Sequence, residues 1–233
     1  MLLNILLSEG DLTYKLVYLG LYLVVIVLSF SFHEFAHAFA AHKMGDDTAR
    51  NLGRMTLNPM VHIEPTGFLL LLIVGFGWAK PVPVNPRNYR KYRLGEFVVS
   101  FAGIFTNLIL ALIAAFFYVV AAFIEYKSGS ELPAFLFTFL NLLGIINVSL
   151  AVFNFLPVYP LDGAHIFELA FGKLIGAKAV MWLRNYGRFI LYGIFGLTFI
   201  LGRFFNIYPL SGITTWIYSK FVALFALVAN LFV

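Results

Sequence analysis

Five long apolar segments, at about 14–42, 96–124, 133–156, 186–202 and 213–232, constrain this chain more than any other feature. A lipid-spanning helix needs roughly 20 mostly apolar residues. Within hydrocarbon every backbone N–H and C=O has to find a partner, which segments of this kind achieve only as helices. The expectation is an all-α polytopic membrane protein with about five to six transmembrane helices. Composition agrees, since 61% of the 233 residues are hydrophobic and only 12% are charged, outside the range of soluble domains. One membrane-embedded domain over 1–233 is expected, with no soluble sensor or regulatory domain. The first span is expected to be retained, because "MLLNILLSEGDLTYK" lacks both a basic leader and a small-residue cleavage site.

Charge placement orders the spans. The formal charge of +5 sits in short connections between apolar runs, where cytoplasmic retention and anionic lipid account for it and nucleic-acid binding is excluded. Lys43, Arg50 and Arg54 precede a short apolar stretch, 67–79, while Lys80, Arg87, Arg90, Lys91 and Arg93 follow it. Both flanks therefore read as cytoplasmic, and a segment that begins and ends on one side is a re-entrant loop or hairpin, here near 67–86. Backbone of this kind is tolerated at membrane depth where it lines a cavity. Residues 125–132, "EYKSGSEL", suit the outside. The first span and the 133–156 span then descend in the same direction. The segment 164–185, with Lys173, Lys178 and Arg184 on its wet side, reads as an amphipathic interfacial helix.

Chemistry concentrates in "FSFHEFAHAFAAHKMG", residues 30–45. His33 and His37 are four residues apart, so their side chains fall within about 40° on one helix face and reach one metal ion. Glu34 projects beside them. H-E-x-x-H on a helix is the pattern of zinc metalloproteases, in which two imidazoles hold the ion and the glutamate takes a proton from water. An unpaired carboxylate this deep in an apolar run costs at least a few kcal/mol, so an ionisable residue there reads as functional. With no cysteine in the chain, thiolate sites are excluded and a third ligand has to be His, Asp, Glu or Asn. His42 lies about 180° round the helix from His33. Glu64 in "NPMVHIEPTG" and Asp162 in "NFLPVYPLDGAHIF" are the acidic candidates. Orientation favours Asp162, because its span descends alongside the first and Pro157 and Pro160 free the backbone to turn.

These residues resemble the site-2 protease family of intramembrane zinc metalloproteases, in its compact bacterial and archaeal subgroup. "HEFAH" at 33–37 fits that family's H-E-x-x-H, and Asn154 to Gly163, "NFLPVYPLDG", fits its N-x-x-P-x-x-P-L-D-G. The resemblance spans roughly residues 20 to 170, the catalytic core, and leaves 186–232 as accessory helices. It implies that His33, His37 and Asp162 hold one zinc ion, that Glu34 is the general base, and that Asn154 helps bind the substrate carbonyl or its oxyanion. It implies cleavage of a transmembrane helix of another protein within the bilayer, at a site opening toward the cytoplasm. The chain departs from the family pattern at "GIFTN", where Gly103 and Asn107 are kept and Ile104 stands at the place of a proline. It departs again at Glu64, where relatives often carry aspartate.

Other polar residues have two readings. Ser29, Ser31, Asn107, Asn147, Ser149 and Asn154 either line a wet path to the metal or hydrogen-bond between packed helices. "WAKPVPVNP" either offers an edge against which an extended substrate pairs or anchors at the interface through Trp78 and Lys80. His62 and His165 receive no catalytic role. A metal-binding transporter would need ligands on several spans at midplane, and a catalytically silent adaptor would have no use for Glu34.

Overall fold

The computed structural model describes residues 11–74 and 77–230. Its helices are α1 (Leu12–Met44), α2 (Thr48–Asn51), α3 (Pro65–Val74), α4 (Tyr92–Ser128), α5 (Ala134–Asn154), α6 (Asp162–Ile175), α7 (Ala177–Phe205) and α8 (Pro209–Ala229), with short 3-10 turns at Pro59–Val61 and Pro86–Asn88. Among the described residues there is no strand. Five helices, α1, α4, α5, α7 and α8, are long and apolar enough to cross a membrane. The expected single interfacial helix over 164–185 is corrected: α6 and α7 are separate, broken at Gly176 with φ 84° and ψ 157°, a conformation open to glycine and costly for other residues. The fourth span accordingly begins at Ala177 and not near 186.

α1 begins where the Asp11 carboxylate accepts the Tyr14 N–H at 3.2 Å and stops at Gly45, whose φ of 110° turns its N–H back onto the Ala41 and His42 carbonyls. It packs against α4 and α5, with buried Ala40 and Ala41 against Val99 of α4; Ala111, Ala114 and Ala115 of α4 are fully buried elsewhere in the bundle. Without a hydrophobic driving force in lipid, small residues of this kind let helix backbones come close. Val25 and Ile26 of α1, Leu71 of α3 and Leu142 and Ile146 of α5 form one apolar cluster. α8 closes on α4 and α5, where Tyr218 packs with Ala111, Ala115 and Val148. Its ring covers Gly144, where a Cβ would lie 2.0 Å from the ring.

The ten residues of α3 rise about 15 Å, half of the roughly 30 Å of hydrocarbon. The chain returns along it. The Lys80 N–H donates to the His62 carbonyl at 2.8 Å, and a Cβ on Gly67 would meet the Trp78 carbonyl oxygen at 2.2 Å. This is the re-entrant hairpin expected near 67–86. Residues 75–76 lie outside the described residues, as do residues 1–10, where most of the stretch bearing on retention of the first span falls, and the last residues of the expected fifth span.

The outgoing limb is pinned at its far end by Asp46, which is fully buried. Asp46 accepts the Asn85 N–H at 2.6 Å, the Asn88 amide at 2.8 Å, and the Thr48 N–H and hydroxyl at 3.1 and 2.5 Å. Burial alone would push its carboxyl up, but these hydrogen bonds outweigh burial and hold it below the usual carboxylate range.

Candidate metal centre

The C-terminal half of α1, the start of α4 and the end of α5 meet at one end of the bundle, and the polar residues of the chain converge there. His33 and His37 are both buried on α1. The His37 Nδ1 lies 2.7 Å from the Val99 carbonyl oxygen of α4, which can only accept. Nδ1 therefore carries the proton and Nε2 the lone pair. The same holds for His33, whose Nδ1 lies 2.7 Å from Asn107 Oδ1, because the amide of Asn107 is already donating to Asn147 Oδ1 at 2.7 Å.

The two Nε2 atoms are 3.0 Å apart, and Asp162 Oδ2 lies 3.4 Å from that of His33 and 3.3 Å from that of His37. With both imidazoles neutral, three acceptors face one another, and the buried Asp162 Oδ2 has no hydrogen-bond partner. A cation resolves this arrangement. Tetrahedral ligands at zinc bond lengths of about 2.0–2.1 Å stand ~3.3 Å apart, so the triangle fits Zn2+, as does its chemistry of two neutral imidazoles and one carboxylate. Among the described residues it is the one cluster of three His, Cys, Asp or Glu side chains with this geometry.

α4 comes this close because residue 103 is glycine. A Cβ there would lie 2.5 Å from His33 Cε1 and 2.5 Å from His37 Nε2. Behind His33 the hydrogen bonds continue from Asn107 to Asn147 and from the Asn147 amide to Ser29 Oγ at 2.8 Å. All three of these side chains are fully buried. The Ser31 and Ser149 hydroxyls donate to carbonyls of their own helices. Asn107, Asn147 and Ser29 thus follow the helix-packing reading, and they add an orienting role for His33 that spacing alone does not reveal.

Glu34, also buried, accepts the Val82 N–H on Oε2 at 2.7 Å. The donor comes from the outgoing limb of the hairpin, where Pro81 and Pro83 have no N–H to give. Val82 itself packs with Ala38, Ala49 and Met55. The limb is thus tied at Lys80, Val82 and Asn85, to the His62 carbonyl, Glu34 and Asp46 respectively.

Asn154, in the last turn of α5, is half-buried and donates one amide proton to the Leu150 carbonyl at 3.0 Å. Glu64 stays out of the triangle and accepts the Thr66 hydroxyl at 3.2 Å. His42 turns away, with Nδ1 2.5 Å from Asp47. His62 is buried against the Thr56 carbonyl at 2.8 Å, and His165 lies 3.5 Å from Glu96. The sequence reading missed Val99, and it offered the Val82 segment for substrate pairing and not for the bond to Glu34; both act through backbone atoms that no side-chain pattern announces.

The family model described as Peptidase family M50 matches residues 21–132 and 120–194. The chain is 46% identical over 152 residues to a Bacillus subtilis (strain 168) protein named "Putative zinc metalloprotease YwhC", an alignment covering 63% of this chain and 68% of that one. It is 29% identical over 167 residues to "Putative zinc metalloprotease Rip2" of Mycolicibacterium smegmatis, covering 68% of this chain and 61% of the relative. A Mycobacterium tuberculosis protein of the same name matches at 29% identity over 166 residues, with the same coverage. No solved structure matches the chain significantly.

Proposed function

Because this chain belongs to peptidase family M50, we propose that it is a zinc-dependent metalloendopeptidase of the site-2 protease type. It cuts a peptide bond within or next to the transmembrane helix of another membrane protein, as in regulated intramembrane proteolysis. The observation that carries this reading is the triangle of His33 Nε2, His37 Nε2 and Asp162 Oδ2, with edges of 3.0–3.4 Å, beside a buried carboxylate on the same helix.

His33, His37 and Asp162 hold one zinc ion. Bound there, zinc supplies a Lewis acid for the scissile carbonyl and lowers the pKa of water. Glu34 takes the proton of the attacking water and delivers it to the leaving amine. The Val82 N–H occupies Oε2 of Glu34 and leaves Oε1 for that proton. Asn154 has two amide protons. One is spent on Leu150, and the other serves the substrate carbonyl as it becomes an oxyanion. A substrate helix has to be locally extended before attack, and the Val82–Val84 limb offers it a strand. With the Val82 N–H committed to Glu34, Val84 is the amide that serves pairing.

The protein acts as a single multi-pass unit of the cell membrane, with α7 and α8 as accessory helices and the site opening toward the cytoplasm. The basic residues Lys80, Arg87, Arg90, Lys91 and Arg93 at the site's end of the bundle support that orientation.

The test is reconstitution of the purified protein with tagged single-span substrates, comparing wild type with Glu34→Gln. Cleavage by wild type and none by the variant, with zinc bound to both, is the expected result. Cleavage that persists in the variant would refute Glu34 as the base, and metal-dependent flux in place of cleavage would make the protein a transporter. Single cysteines at Lys127 and Arg90 should label from opposite faces of the membrane.

A further inference from the structure

α7 packs against little of the bundle, yet it makes close contacts with α6 and with the turn that precedes Asp162. Arg184 donates to both oxygens of Glu168 on α6, from Nε at 2.9 Å and from Nη2 at 2.6 Å. Its guanidinium lies 5.8 Å from the centre of the Tyr159 ring, and the Tyr159 hydroxyl donates to the same Glu168 carboxylate. One turn along α7, Gly187 sits so near that a Cβ would fall 2.6 Å from both the Cβ and the carbonyl oxygen of Tyr159. Further along, Phe195 stacks on Phe153 of α5 with ring centres 5.4 Å apart. Tyr159 is held from the other side by His165, edge-on at 5.1 Å.

Tyr159 is three residues from Asp162, and the chain between them is a tight turn in which the Leu161 N–H donates to the Val158 carbonyl at 2.9 Å. Gly163 follows, wedged so that a Cβ would meet the Phe155 carbonyl oxygen at 2.2 Å. The three candidate ligands are therefore fixed by different means. His33 and His37 are each aimed by a hydrogen bond on Nδ1, the ring atom away from the triangle, whereas Asp162 stands at the first position of α6, directly after the turn. The place of that carboxylate is set by its loop, and the loop is gripped by α7.

We propose that Arg184, Glu168 and Tyr159, with Gly187 as the seat, form a clasp through which α7 positions the third metal ligand. This rests on the reading of Asp162 as a ligand. Arg184, Glu168 and Tyr159 are positioning residues, and α7 is the helix whose movement loosens the metal. An exposed ion pair adds little to stability by itself, but the two-pronged geometry here fixes direction. Its loss is expected in the metal site before it is seen in unfolding.

The test uses the full chain in detergent. Zinc affinity is measured by chelator competition, and the ligand field by the visible absorption of the Co2+-loaded protein. The variants are Arg184→Gln, Glu168→Gln, Tyr159→Phe and the charge-reversed pair Arg184→Glu with Glu168→Arg. Asp162→Ala and the exposed Lys178→Gln serve as controls. Arg184→Gln and Glu168→Gln are expected to weaken zinc binding about 10-fold, the scale of outer partners of metal ligands, and to shift the Co2+ spectrum with unchanged thermal unfolding. The reversed pair is expected to recover most of the affinity, and Lys178→Gln to leave it untouched. Wild-type affinity and spectrum in the clasp variants, beside an Asp162→Ala protein that has lost zinc, would overturn the clasp and leave the metal site standing. Undiminished zinc binding by Asp162→Ala would overturn the ligand reading and the clasp together.

Discussion

Replacing Gly103 with alanine puts one methyl group into the metal centre. Its carbon would lie 2.5 Å from His33 Cε1, 2.5 Å from His37 Nε2 and 2.7 Å from His33 Nδ1. Carbon contacts settle near 3.5–4.0 Å, so the imidazoles or α4 have to withdraw by about 1 Å. Metal–ligand distances tolerate about 0.2 Å, and a 1 Å retreat exceeds that several-fold. The expected loss of zinc affinity is at least ~100-fold, or ~2.7 kcal/mol. Overpacking between α1 and α4 adds a stability loss of about 1–3 kcal/mol. Gly144→Ala separates the two effects, because its Cβ would strike the Tyr218 ring at 2.0 Å, away from the ligands. It should cost similar stability and leave zinc binding unchanged. Gly20→Ala meets nothing within 4 Å and should change neither. Chelator competition in detergent and thermal unfolding read both quantities on the same samples. A Gly103→Ala protein that binds zinc within threefold of wild type, while Gly144→Ala is destabilised, would refute the reasoning.

Asn107→Ala removes the acceptor that aims His33 and should weaken zinc binding about 10–100-fold; Asn147→Ala, one hydrogen bond further out, should cost less, and the reverse order in chelator competition would break the proposed chain. Val82→Pro deletes the N–H on Glu34 and leaves a buried acceptor short of a partner, a loss of about 1–3 kcal/mol; turnover should fall ~10–100-fold with zinc retained, and full turnover would show that Glu34 needs no such support. Asp46 is held below the usual carboxylate range, so it adds stability that is complete above its unfolded value of about 4 and is lost as pH falls through its lower folded value. Thermal unfolding between pH 7 and pH 3 should show wild type losing stability on the acid side and Asp46→Asn, weaker at neutral pH, losing less; equal acid slopes would refute the assignment.

The spans were legible because lipid leaves the backbone one solution and apolar length reports it directly. His33 and His37 were legible because a fixed helical repeat converts spacing into facing. Asp162 was readable from the direction of two spans, although its distances to the histidines come from a turn that no periodicity describes. The break at Gly176 escaped because the residues on either side are amphipathic in one continuous pattern, and a glycine inside such a pattern is ordinarily tolerated. Asp46 escaped for another reason. Its four hydrogen bonds come from residues 48, 85 and 88, and "GDD" after a helix reads as a solvated turn. Asn107 was visible as a polar residue of a core span and as part of the "GIFTN" pattern, and its task of aiming His33 needed the distance.

The partners of α1 arrive late in the chain. Glu34 waits for Val82, His37 for Val99, His33 for Asn107, and Ser29 for Asn147. A ribosome making this protein therefore releases the span that carries His33, Glu34 and His37 more than a hundred residues ahead of the last of these partners by chain order. Until the hairpin, α4 and α5 enter, the polar side chains of that span lack the partners that satisfy them. Biogenesis has to keep it sheltered, at the insertion machinery or against an insertion factor, and a nascent chain halted before Asn147 is the form that quality control would meet with its polar groups still exposed.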